Sequence, residues 1–241
     1  MNQSFSCKFK VVTALLMLCW PGSLVQAQER EADESVQESQ SESTDNQLAD
    51  IREDAQSLKA VQLYSQDELL TMINRNEHLS RVVNDRCQLV QDIEARAEVL
   101  KVPAYQFLWG DMLAWGVCVD AQPARGIDFI KDAAQQGLAA ALEQLGRYYA
   151  GGKLVQMDKK RAVVYLREAA ALGNLNAQMQ LADLFLDGYG SPYDYEDAYH
   201  WLYNAVTDDK QTHAKIARYL TDLEKLMHPN AVQNARKPLD S

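Results

Sequence analysis

The sequence has no apolar run long enough to cross a membrane, few histidines and no catalytic motif. Its longest hydrophobic stretch, VVTALLMLCW at 11–20, is about ten residues. A spanning helix needs about 20. The four histidines, His78, His200, His213 and His228, are scattered, and neither HExxH nor CxxC spacing occurs. Nothing therefore carries the ligand spacing of a zinc site. There is no nucleophile elbow and no phosphate-binding glycine loop. Acid pairs such as Glu196-Asp197 sit at the start of a helical pattern, where carboxylates favour the dipole. We expect no catalytic residue, no cofactor, no metal and no enzymatic activity. No segment alternates with period 2, so no sheet is expected. Positive charge is also scarce: 24 Lys and Arg stand against 34 Asp and Glu, for a net charge of −10. That argues against nucleic acid, which is bound through clustered cations.

What is present begins with a basic start, Lys8 and Lys10, followed by the apolar run and the small-residue site Val25-Gln26-Ala27. This reads as a secretory signal peptide, 1–27, cleaved after Ala27. Residues 28–60 hold ten acids and three bases, a net −7 of the chain's −10, with no aromatic residue. A segment that poor in apolar surface cannot offset the entropy of ordering, so it is expected to be a disordered acidic segment. The remaining residues, 61–241, suffice for one domain with a core. They keep two cysteines, Cys87 and Cys118. In an exported chain such a pair reads as a disulfide.

The domain carries a repeat. Ala141, Leu145, Ala162, Tyr165-Leu166 and Ala169 recur 36 residues on as Ala177, Leu181, Ala198, Trp201-Leu202 and Ala205. Backwards, Gly173 maps to Gly137 and Ala169-Ala170 to Ala133-Ala134, while Ala104 and Leu108 match Ala141 and Leu145 with one extra residue. Three repeats follow, at about 104–140, 141–176 and 177–207. Within each, small and large apolar residues fall at i, i+3, i+4, i+7 and i+8 in two successive segments, the pattern of a helical hairpin with one apolar face per helix. Asp158 and Asp194 stand where the second helix needs an N-cap. Gly137 and Gly173 stand where it needs a left-handed end, and Pro123 suits a first turn. Ser65-Gln66-Asp67-Glu68 is a capping box that opens a helix to about Leu79. Cys87 to Leu100 reads as a further second helix, Asp208 to Met227 as a closing helix, and Pro229 as the start of a short frayed one. The expected fold is an all-α solenoid of helical hairpins with irregular capping helices.

The pattern Ala…Leu-Gly…Tyr…Gly-Gly…Asp…Ala…Tyr-Leu…Ala-Ala…Gly…Ala resembles the Sel1-like repeat, a relative of the tetratricopeptide repeat. In the first repeat, Trp109 replaces the expected glycine, with Gly110 adjacent. That family is a binding scaffold and transfers no catalytic residue. The stretches PAYQFLWGDMLAWGVCV, AAQQGLAAALEQLGRYY, YLREAAALGNLNA and GSPYDYEDAYHWLYN further resemble the periplasmic Sel1-repeat components of the sodium-driven polar flagellar motor. The resemblance implies a periplasmic protein in a ring around the basal body, peripheral to the membrane. It also implies two partners, a MotY-like ring protein and a PomB-like stator subunit. A generic periplasmic Sel1-type adaptor acting on an envelope enzyme or signalling protein is the other reading that the repeat allows.

Three aromatic residues stand outside the repeat positions. Trp115 sits before Gly116, near the tip of the first hairpin, and Tyr193 and Tyr195 lie in the loop LDGYGSPYDYED at the matching tip of the third. Such side chains either anchor a partner or pack back onto a neighbouring repeat. We take all three as partner-binding candidates.

Overall fold

A computed structural model describes residues 63–238. The expected signal peptide, 1–27, and acidic segment, 28–60, lie outside the described residues. Within them the chain forms eleven α-helices and one 3-10 turn, with no strand. The helices are α1 (Gln66–Asn74), α2 (His78–Asn84), α3 (Val90–Glu98), α4 (Pro103–Trp115), α5 (Pro123–Gln135), α6 (Ala139–Gly151), α7 (Lys159–Ala171), α8 (Leu175–Leu186), α9 (Tyr195–Tyr203), α10 (Lys210–Glu224) and α11 (Pro229–Ala235). No described helix is long and apolar enough to cross a membrane.

The pairs α4/α5, α6/α7 and α8/α9 are three antiparallel hairpins, each packed on the next. Alanines recurring through the repeat make this possible. Ala104, Ala133, Ala141, Ala162, Ala169, Ala177 and Ala198 are at most 1% exposed. Leu108, Ile130, Leu145, Leu166, Leu181 and Leu202 fill the space between the backbones they bring together. Pro123 occupies the first turn of α5, and the Asp158 side chain accepts the Arg161 N–H at the start of α7. Between hairpins the chain reverses through Gly137 and Gly173, at φ +83° and +84°. A left-handed residue there frees the chain to enter the next first helix.

Three expectations are corrected. The helix opened by Ser65, whose hydroxyl accepts from the Glu68 N–H, does not reach Leu79. It ends at Asn74, and Asn76 turns left-handed at φ 57°. The amides of Asn76 and Glu77 close the end on the carbonyls of Ile73 and Met72. Asparagine tolerates that conformation, and the break redirects α2 so that His78 points inward. At the start of α9, Asp194 makes no side-chain cap. It pairs with Arg167 instead, while Ser191 caps the preceding 3-10 turn. Finally, α11 is packed rather than frayed. Val232 and Ala235 are buried against α9, and Arg236 donates to the hydroxyl of Tyr199 and pairs with Glu224.

Candidate functional site

The sequence candidates are best judged against the polar chemistry that the hairpins bury. Helix α4 is enclosed on every side: Ala104 through Ala114 are all buried. Within that run lies an acid, Asp111, 2% exposed. An isolated buried carboxylate is expensive, and two other helices supply partners. His78 of α2 places Nε2 at 2.8 Å from one carboxylate oxygen. The Gln144 amide of α6 donates to the other at 2.7 Å. That same oxygen accepts from the Tyr148 hydroxyl at 3.4 Å. The Tyr148 hydroxyl itself accepts from the Gln144 amide at 2.7 Å and from the Trp115 indole N–H at 3.2 Å. Burial, then the charge of Asp111, holds the Tyr148 phenol well above its usual range. It therefore stays a neutral donor.

This network joins the N-terminal cap, the first hairpin and the second. Above it opens a recess of about 330 Å³, bounded by Asn76, Leu79, Trp115, Tyr148, Arg147 and Lys153. The Lys153 ammonium lies 4.5 Å over the Trp115 ring, and the Arg147 guanidinium 5.9 Å over that of Tyr148. Arg147 also donates to the Gln144 side-chain oxygen. Two cations and two aromatic rings thus rim a floor whose polar atoms bond mostly to one another.

The remaining candidates separate. Cys87 and Cys118 are joined in a disulfide, with Cα atoms 5.6 Å apart at a sequence separation of 31. The bond clasps the turn before α3 to the turn after α4. Trp115 is 41% exposed, with its ring edge-on to Tyr148, so it both packs and faces solvent. Tyr193 is 93% exposed and stacks on no other ring among the described residues. Tyr195 is corrected: at 8% exposure its ring lies 4.9 Å from that of Phe185, inside the third hairpin. It opens α9, where an inward-facing aromatic closes the end of the core, and it is not available to a partner. Sequence reasoning left out His78, Asp111 and Gln144. One signal was there to read: Asp111 is the single charged residue in PAYQFLWGDMLAW. Among the described residues no group of three or more His, Cys, Asp or Glu is placed to hold a metal.

Hairpins that cross on alanine and glycine, reverse through left-handed glycines and stack with a period near 36 define an all-α Sel1-like repeat solenoid. The crystal structure of a Sel1 repeat protein from Oxalobacter formigenes shares this fold, with a TM-score of 0.51 and 24% identity over 64% of this chain and 65% of that one. No protein-family model matches the chain. Over 177 residues it is 55% identical to the sodium-type polar flagellar protein MotX of Vibrio parahaemolyticus, spanning 73% of this chain and 84% of that relative. The chain belongs to the MotX family. An uncharacterized protein of Neisseria meningitidis serogroup B is 33% identical over 116 residues, which is 48% of this chain and 23% of that protein.

Proposed function

We propose that the protein is a non-enzymatic, structural component of a sodium-driven polar flagellar motor that works by binding other proteins. The observation that carries this reading is the 55% identity to MotX over most of both chains. The finer parts of the proposal go further. The chain is exported by the signal peptide 1–27 and processed after Ala27, the acidic segment 28–60 links that peptide to the repeat domain, and the mature protein resides in the periplasm beside the basal body. There it occupies a ring position with a MotY-like protein and holds a PomB-like stator subunit. A stack of hairpins supports such a role, because it presents an extended surface without needing a catalytic cleft. Trp115 and Tyr193 are its exposed aromatic candidates for partner contact.

A clean deletion tests the reading. The expected outcome is loss of swimming with filaments still assembled, restored by the gene in trans. Unchanged swimming with an envelope-stress defect replaces the motor component with a general periplasmic adaptor. Fractionation checks the location, with the processed chain expected in the periplasmic fraction.

A further inference from the structure

We propose that the recess above the Asp111 network docks a carboxylate-bearing, acidic segment of a partner protein. The inference rests on the reading that the protein works by holding other proteins. The chain carries −10 overall, yet the mouth of this recess is set by two cations, Arg147 and Lys153. Among the described residues no carboxylate lies within ion-pair distance of Lys153, and the carboxylate paired with Arg147, that of Glu143, sits at 3.8 Å. Both cations lie across aromatic faces. The rings hold the charged heads themselves at the rim, the ammonium against Trp115 and the guanidinium against Tyr148.

The floor does not compete for a ligand. The Asp111 side chain is 3% exposed, and its two oxygens are taken by His78 and by Gln144 with Tyr148. An entering carboxylate therefore meets the guanidinium and the ammonium, and can make charge-assisted bonds to both. The Asn76 side chain, on the left-handed turn between α1 and α2, adds an amide to the same mouth. The walls supply the second half of the specificity. Trp115 and Leu79 are apolar, and the volume of about 330 Å³ exceeds what one carboxylate fills. The geometry thus fits an acid followed by an apolar side chain, the composition of an acidic peptide.

The test uses the purified full-length chain and two fluorescein-labelled, N-acetylated peptides, Phe-Glu-Asp-Leu-Glu and its neutral counterpart Phe-Gln-Asn-Leu-Gln. Fluorescence anisotropy is expected to show saturable binding of the acidic peptide, about tenfold tighter than the neutral one, weakening as salt is raised. Lys153→Glu is expected to weaken it about tenfold with circular dichroism and Tm unchanged, since Lys153 is exposed. Arg147→Glu with Lys153→Glu is expected to abolish it. Equal affinity for the two peptides overturns the proposal, as does binding that survives both charge reversals. A rise in sedimentation coefficient with protein concentration that the same variants abolish assigns the recess to a second copy, and also overturns it. Swimming separates this idea from the broader one. If deletion stops swimming but the well-folded double variant restores it fully, the recess fails and the motor reading stands. If deletion leaves swimming unchanged, the motor reading fails, and the peptide titration alone decides the recess.

Discussion

The first and third hairpins have the same plan but close differently. In the first, α4 and α5 cross backbone on backbone. A methyl group added at Gly126 would lie 2.5 Å from the Gly110 carbonyl oxygen and 2.6 Å from the Ala114 nitrogen. In the third hairpin, Ala198 stands at the position of Gly126, 72 residues on, and its methyl is accommodated and fully buried. Helix α5 has 13 residues and α9 has nine, about one turn fewer. The first hairpin is also bound into its neighbours by the Asp111 network and the disulfide. The third instead leaves Tyr193 and Val206 more than 90% exposed. One repeat can therefore be a locked unit or an open end, depending on a few substitutions at the crossing and the tip.

The largest expected effect tests the lock itself. Asp111→Ala leaves His78, Gln144 and Tyr148 without their shared acceptor. It should cost about 3–5 kcal/mol, as breaking a buried pair does, read as the urea midpoint at constant slope. Next comes the clasp. Replacing Cys87 and Cys118 with serine opens a loop whose ends are 31 residues apart, worth about 3–4 kcal/mol in the chain-entropy model. Non-reducing mass spectrometry of the wild type checks that the bond forms.

The crossing gives the sharpest contrast. Gly126→Ala should destabilise by about 2–3 kcal/mol, because the contacts are backbone atoms that cannot swing away. Ala198→Gly, the reverse change in the third hairpin, should cost only about 1 kcal/mol through helix propensity. Equal losses in thermal melts of the two variants would erase the distinction drawn between the hairpins. The smallest effect belongs to the open tip. Tyr193→Ala should change stability by less than about 0.5 kcal/mol, while weakening capture of a MotY-like partner in a pull-down. A variant that melts early would show that the ring packs after all.

Much of this architecture was legible in the sequence because it depends on spacing. Ala141, Ala162 and Ala177 recur at intervals that only stacked hairpins satisfy, and Gly137 and Gly173 mark the reversals. The disulfide was legible from a pair of cysteines in a chain read as exported. What escaped lies between elements. His78 and Asp111 are 33 residues apart, as are Asp111 and Gln144, so no local pattern pairs them. The break at Asn76 escaped because an asparagine within an apolar period reads as helix until tertiary packing selects its left-handed form. Tyr193 and Tyr195 share a loop in the sequence, and only the start of α9 decides that one faces out and the other in.

The clasp between Cys87 and Cys118 has a mechanical consequence. In a stack where each hairpin leans chiefly on the next, tension applied between the two ends is carried in series, and the weakest interface yields first. Helices α3 and α4 lie inside the covalent loop, so the pull passes around them through the bond. Interfaces outside the loop have no such bypass, so one of them gives way first while the clasped segment keeps its shape.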